Sequence, residues 1–273
     1  MRILYGDLIA EKIYKNLKEK REELKIKPGL AVIMIGKNEA SRIYIRLKQL
    51  AAEKLNFYFK KYFFTEKIKE KKVLEIIKNL NQDKKIHGII VQLPLPKNFN
   101  PSKIIQKICP EKDIDGFRSK TKFISPTHQA ILKLISFYKI KIKNKKIVIF
   151  ANSLVFANPL LKFFKKRGVK IKIILKSKYT SCFCEDEKYL KEADILIVAI
   201  GQPKFLKKEM IKKGAIIIDV GYSRIKKKPV GDVDFKSCSQ KAGAISPVPG
   251  GIGPLTVAFL MKNVFLAAKK FLK

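Results

Sequence analysis

The chain has 273 residues, 47% of them apolar, and a formal net charge of +37; it is long enough to bury one large core or two smaller ones and reads as a folded soluble protein. Met1 to Asp7 holds no long apolar run, and no stretch approaches the roughly 20 residues of a membrane span, so neither a signal peptide nor a span is expected and the cytosol is the default. Only seven of the sixty basic residues are arginine and the lysine clusters are scattered, which argues against a nucleic-acid reader but suits an anionic small substrate.

In chain order, Leu8, Ile9, Ile13, Leu17 and Leu24 recur at helical spacing, and Pro28-Gly29 ends that helix. Leu30 to Gly36 reads as a buried strand, Ala40 to Leu55 as a helix, Tyr58 to Phe64 as a strand and Val73 to Leu80 as a helix. Gly88 to Leu93 is a strand closed by Pro94-Leu95-Pro96, and Pro101 to Ile108 is a short helix. Thr127 to Tyr138 is a helix that connects two domains. The alternation then restarts: strand Lys146 to Phe150, helix Pro159 to Arg167, strand Val169 to Leu175, helix Glu187 to Ala193 and strand Asp194 to Ile200. Helix Lys207 to Lys212, strand Ala215 to Val220 and a last helix, Thr256 to Phe271, complete the chain. Strands alternating with helices predict two α/β domains with largely parallel sheets, the second Rossmann-like, with the last helix returning to the first.

Several groups in this frame could carry chemistry. Tyr44 and Lys48 are four apart on a helix and share a face with Ser41, although a solvated lysine beside an amphipathic tyrosine is the commoner outcome. Gln92 is a polar amide at the end of an apolar strand, where open α/β sheets gather ligands; it needs a partner, either Lys48, a ligand or local backbone. Asp113-Ile114-Asp115-Gly116 reads as an Asx-held turn or as a carboxylate offered to a ring N–H. Ala151-Asn152-Ser153 sits at the strand-to-helix turn where a dinucleotide's pyrophosphate lies. Lys176-Ser177-Lys178 follows the next strand in place of an acidic residue, which suits NADP better than NAD. Cys182 and Cys184 lack a second pair and His87 and His128 are too few for a histidine centre, so no metal is expected. Ser246 to Thr256, Ser-Pro-Val-Pro-Gly-Gly-Ile-Gly-Pro-Leu-Thr, is a stiff loop whose bare backbone would face a flat ligand, with Thr256 placed to cap or open the helix that follows.

Together, Ser41 to Lys48, Gly88 to Pro96, Lys112 to Phe117, Gly214 to Gly221 and Pro247 to Thr256 resemble the bifunctional methylenetetrahydrofolate dehydrogenase/methenyltetrahydrofolate cyclohydrolase family, nearly end to end. The resemblance implies a folate-binding catalytic domain over 1–120 completed by 256–273, and a Rossmann-like NADP-binding domain over 121–255. It implies oxidation of methylenetetrahydrofolate with NADP, then hydrolysis to formyltetrahydrofolate, in one-carbon metabolism that serves purine and amino-acid biosynthesis. Lys48 would be the catalytic residue, with Tyr44, Gln92 and Asp115 beside it. Val91, Leu93 and the Pro249, Gly250, Gly251, Ile252, Gly253 stretch would line the folate; Ala151, Asn152, Ser153, Ser177 and Tyr222 would contact NADP, with NAD possible. A homodimer and a cleft between the domains are implied as well. The chain departs from the family pattern at Ala151, Phe156 and Ala157, which stand for glycine, valine and glycine, and at Ser125-Pro126-Thr127-His128, which replaces Pro-Cys-Thr-Pro. An alanine forced to positive φ or crowding a phosphate would leave a cyclohydrolase with weakened NADP binding.

Overall fold

The computed structural model describes residues 1–178 and 184–271. In chain order its elements are β1 (Arg2–Ile3), α1 (Asp7–Glu23), β2 (Gly29–Ile35), α2 (Glu39–Lys54), β3 (Tyr58–Phe64), α3 (Glu70–Gln82), β4 (Gly88–Val91), α4 (Pro101–Gln106) and α5 (Pro126–Phe137). They continue with β5 (Lys146–Ala151), α6 (Leu154–Lys165), β6 (Lys170–Leu175), α7 (Cys184–Glu192), β7 (Ile195–Ala199), β8 (Ile216–Asp219), β9 (Ser223–Ile225), β10 (Lys228–Val230), α8 (Phe235–Cys238), β11 (Ala244–Ile245) and α9 (Ile252–Lys270). Two compact units result: Met1–Ile9 with Ala130–Leu255, and Ala10–Gln129 with Thr256–Lys273. The sequence puts the division at 120; by compactness the unit that begins at Ala10 runs on to Gln129, and the chain's first nine residues join the other unit, where β1 pairs with β11.

The unit of Ala10–Gln129 and Thr256–Lys273 is built on a parallel sheet in the order β3-β2-β4. Every residue of β2 and of β4 is buried, as expected of parallel strands covered on both faces, which read as unbroken apolar runs. Val73, Ile77 and Leu80 of α3 lie one turn apart and pack with Ala31, Ile33, Ile89 and Val91; each such side chain stabilises the fold by about 1.5–3 kcal/mol when fully buried. α9 has the length and composition of a membrane span, with a mean hydropathy of 1.3, so the expectation that no stretch comes near one is corrected. Its Ala258, Leu260, Met261 and Val264 are all at most 1% exposed, the pattern of a core helix.

The unit of Met1–Ile9 and Ala130–Leu255 carries an all-parallel sheet in the order β1-β11-β8-β7-β5-β6, with β9 and β10 as a separate antiparallel hairpin. This is the Rossmann-like half. Three readings of the sequence change here. The helix expected from Pro159 begins at Leu154, because Ser153 caps it by accepting from Phe156 N, and Pro159 falls inside it. The N–H that proline lacks would have served the carbonyl of Val155, a residue 74% exposed, where water can take over. The helix expected over Lys207–Lys212 is a single 3-10 turn, Lys208–Met210. The helix expected to open at Thr256 starts at Ile252, so Pro254 lies in its first turn, where no N–H partner is needed, and Thr256 lies inside it rather than capping it.

Candidate active site

α2 starts where Asn38 accepts a hydrogen bond from Ser41 N at 2.9 Å. Its buried face is Ser41, Ile45, Lys48, Ala51 and Ala52. Lys48 therefore sits on the apolar side of its helix, 8% exposed, which corrects the commoner expectation of a solvated lysine. Across from it, β4 ends at Val91, and Gln92 N donates to Ile33 O at 2.9 Å, so the sheet itself fixes where Gln92 emerges. The Lys48 ammonium or amine Nζ donates to Gln92 Oε1 at 2.9 Å. Gln92 Nε2 donates onward to Leu93 O at 2.9 Å, and Ser41 Oγ donates to the same carbonyl at 3.3 Å. Of the partners open to Gln92 from sequence, Lys48 and local backbone are both taken. Tyr44 is half-buried one helical turn before Lys48.

The Asp115 carboxyl belongs to the same cluster. Gly88 carries no side chain because a Cβ there would come within 2.9 Å of Ile114, so Ile114 packs directly on the start of β4. Asp113, 1% exposed, accepts from Phe117 N at 3.3 Å and Arg118 N at 2.9 Å, which makes the turn Asx-held as the bland reading has it. Gly116 takes φ +72°. Burial pushes the Lys48 pKa down from its ordinary value, with the Asp115 charge opposing. Burial pushes Asp115 up, with Lys48 opposing and Asp113 adding to the rise. Both groups are thus driven toward their neutral forms. A neutral amine held by a side-chain amide, with a carboxyl beside it, can accept a proton from water and hand it on.

The Ser246–Thr256 stretch holds a cis Val248–Pro249 bond and Gly250 at φ +101°. Gly6 N donates to Gly250 O at 2.7 Å, so the strap is tied to the chain's own N-terminal segment. Pro249 is exposed, Gly250 and Gly253 are half-buried and Gly251 is buried. Ile252 is buried as a whole residue at 3% exposure, so of the five positions expected to line the folate only Pro249, Gly250 and Gly253 are open at the surface.

At the turn between β5 and α6, Ala151 ends the strand in register with Leu175 and Ala199, Asn152 N donates to Ala199 O at 3.0 Å, and Ser153 caps the helix. Neither Ala151 nor Ala157 is among the residues at positive φ; Ala157 is an interior residue of α6 and both are fully buried. The strain expected from these alanines is absent. A short strand-end residue, an exposed Asn152 and the outward N–H groups of a helix start suit a dinucleotide's pyrophosphate. Ser177 is exposed in the 3-10 turn Lys176–Lys178 after β6, and Tyr222 is half-buried after β8. Cys182 lies outside the described residues.

Two features escape the sequence reading. Asp219, at the end of β8, accepts from Gly221 N, Asp232 N and Val233 N, while Asp232 accepts from Ile200 N and Gly201 N. These buried carboxylates bind the carboxyl ends of β7 and β8 together, and burial raises the Asp219 pKa to about 7. Asn263 of α9 is buried at 2% exposure; together with Lys262 it interrupts the apolar residues between Phe259 and Phe265, and as the uncharged one of the two it was the available signal.

Comparison with known proteins agrees across both halves. Residues 4–115 match the family "Tetrahydrofolate dehydrogenase/cyclohydrolase, catalytic domain" and residues 125–272 its "NAD(P)-binding domain". "Bifunctional protein FolD" of Nautilia profundicola is 37% identical over an alignment spanning 289 positions, covering 100% of this chain and 99% of that protein. The crystal structure of the bifunctional methylenetetrahydrofolate dehydrogenase/cyclohydrolase of Campylobacter jejuni superposes with a TM-score of 0.91 at 35% identity, covering 99% of each chain. The Trypanosoma brucei enzyme, solved with NADP cofactor and inhibitor, gives a TM-score of 0.90 at 28% identity, covering 99% of this chain and 98% of that one. With the Lys48–Gln92–Asp115 cluster in one unit and the Rossmann-like sheet in the other, the chain belongs to the tetrahydrofolate dehydrogenase/cyclohydrolase family.

Proposed function

We propose that the chain oxidises methylenetetrahydrofolate to methenyltetrahydrofolate with NADP and then hydrolyses the product to formyltetrahydrofolate, with Lys48 as the catalytic base of the second step. The observation that carries this reading is the hydrogen bond from Lys48 Nζ to Gln92 Oε1 at 2.9 Å, made by a lysine that burial drives toward its neutral form. NADP supplies the acceptor for the hydride leaving the methylene carbon. Ala151, Asn152, Ser153, Ser177 and Tyr222 hold it, while Val91, Leu93 and the Pro249 to Gly253 backbone line the folate.

In the hydrolytic step, water oxygen bonds to the cationic methenyl carbon and loses a proton to the neutral Lys48 amine. Gln92 Oε1 accepts one Lys48 N–H and so fixes the direction of the amine lone pair. The ring C–N bond then breaks as the carbinol oxygen becomes the formyl C=O: the proton on Lys48 passes to the leaving nitrogen, and the carbinol O–H proton leaves to solvent as the one proton released overall. Asp115 anchors the pterin ring through hydrogen bonds, and Tyr44, one helical turn before Lys48, helps Gln92 hold the amine. The protein works as a cytoplasmic homodimer in one-carbon metabolism that feeds purine and amino-acid synthesis; sedimentation of a monomer at micromolar concentration would remove the dimer.

The test is an absorbance assay that follows methenyl-folate formation with NADP or NAD, then its decay. Formation with NADP followed by enzyme-dependent decay supports the bifunctional reading. Decay without formation selects the cyclohydrolase-only alternative, in which the Ala151 and Ala157 methyls crowd the phosphates without any backbone strain. Steeply salt-dependent DNA binding with neither activity would select the nucleic-acid reading instead.

A further inference from the structure

We propose that Asn263, on α9, is a positioning residue that sets the direction of Asp115; this rests on the reading of Asp115 as the pterin anchor. Asn263 Nδ2 donates to Ile114 O at 2.8 Å and to Ile124 O at 3.1 Å. Its Oδ1 accepts from Gln129 Nε2 at 3.0 Å, and the same Gln129 nitrogen donates to Ile124 O at 2.8 Å. One buried amide therefore joins the two ends of the loop that carries Asp115, with both of its donors engaged and its oxygen fixed from the other side.

The placement of the first contact is what matters. The Ile114 carbonyl belongs to the peptide whose nitrogen is that of Asp115, so rotation of this peptide swings the Asp115 side chain. The neighbouring anchors act elsewhere. Lys112 O takes Ile89 N at 2.9 Å, before the peptide. Asp113 takes Phe117 N and Arg118 N, beyond it. Ile114 itself is fully buried against the Gly88 backbone, so its side chain is a pivot, and the carbonyl bond from Asn263 sets the rotation about it. The charged groups that act on Lys48 and Asp115 are each other and Asp113. A turned Asp115 would thus be felt both by the ligand and by Lys48.

The test is Asn263→Leu, which removes both donors while keeping similar bulk. We expect KM for methylenetetrahydrofolate to rise about 10-fold or more, since small misplacements of a binding group have large effects. We expect the acid limb of the hydrolysis pH profile to move to lower pH, because Asp115 is the charge that holds the Lys48 pKa up. NADP affinity, read from NADPH fluorescence, should stay unchanged. Asn263→Ser, which keeps one donor, should lie between wild type and Asn263→Leu, and it stands in if the leucine variant does not fold. Unchanged KM and pH limb in a folded variant would overturn the proposal, as would equal losses of folate and NADP affinity, which mark general loosening. Asp115→Asn separates the two ideas. If it leaves KM for folate unchanged, the anchor reading falls and this inference with it; if it raises KM while Asn263→Leu does not, the positioning role alone is lost.

Discussion

Lys48→Met offers the sharpest check on the chemistry because the structure separates its effect on activity from its effect on stability. Methionine matches the lysine stem and fits a site only 8% exposed. The substitution removes one hydrogen bond, to a Gln92 that is itself half-buried and so still open to water. A typical hydrogen bond contributes about 0.5–1.5 kcal/mol net. Against that loss, an amine whose burial is unfavourable enough to lower its pKa leaves the interior. The two effects oppose, so stability should change by no more than about 1 kcal/mol, or roughly 2–4 °C in melting temperature. Catalysis has no such offset. Loss of a positioned general base should slow hydrolysis about 10²–10⁴-fold, while hydride transfer, which needs alignment more than a base, should fall far less. Methenyl-folate formed with NADP should then accumulate, visible as absorbance that rises and fails to decay. Hydrolysis within a factor of about three of wild type, in a variant of unchanged melting temperature, would refute the role of Lys48 and the argument from its burial.

Asp219→Asn should flatten a pH dependence. With a folded pKa of about 7 against an ordinary 3.8, the folded state holds the proton more tightly, so the stabilisation is full below about pH 3.8 and is lost as pH rises through 7, a change of about 4 kcal/mol. Urea titrations at several pH values should show the wild type losing its advantage over the variant as pH rises, and a constant difference would refute the shift. Lys112→Met should lower the melting temperature by several degrees, roughly 2 kcal/mol, because Lys112 Nζ donates to Leu80 O at 2.9 Å and Asp83 O at 2.8 Å at the end of α3; an unchanged melt would show those carbonyls find water. Ser153→Ala removes the α6 cap, whose bond is long at 3.4 Å, so the loss should be at the low end, about 0.5–1 kcal/mol. The melting shift produced by NADP should shrink with it, and an undiminished shift would place the cofactor away from that turn.

The strands were legible where burial on both faces left no polar residue to confuse the period. β2 and β4 are such runs, and β3, an edge strand with exposed lysines, still came through its aromatic residues. Punctuation misled where one residue type has two uses. Pro159 looked like a helix start, yet the capping hydroxyl lay six residues earlier. The hairpin of β9 and β10 turns through Lys226 at φ 48° and Lys227 at φ 66°, a conformation normally signalled by glycine or asparagine, so two lysines gave no hint of it. For the alanines at 151 and 157, of the two costs weighed, positive φ came from a pattern and not from these residues' own backbone, which leaves crowding of a phosphate as the one they could still impose.

For the site, periodicity showed that Ser41, Tyr44 and Lys48 share a face but not which way that face turns. That depends on where β4 lies, a contact between residues 44 apart in sequence. The same holds for Asp219, whose acceptor bonds to Asp232 N and Val233 N span 13 and 14 residues, and for Asn263, which reaches Ile114 across 149. What these positions share is visible in one dimension. Each is a polar side chain set in an apolar period: Lys48 among Ile45, Ala51 and Ala52, Asp219 after Ile216 to Ile218, Asn263 between Phe259 and Phe265. A buried polar group without a partner destabilises a fold by about 1–3 kcal/mol, so such a residue implies a partner before the partner can be named. Gln92 was read in that way and its partner, Lys48, was among those anticipated. Applied to the last helix, the same rule would have marked Asn263 as a residue holding something distant, with only the identity of the Ile114 carbonyl left for the structure to supply.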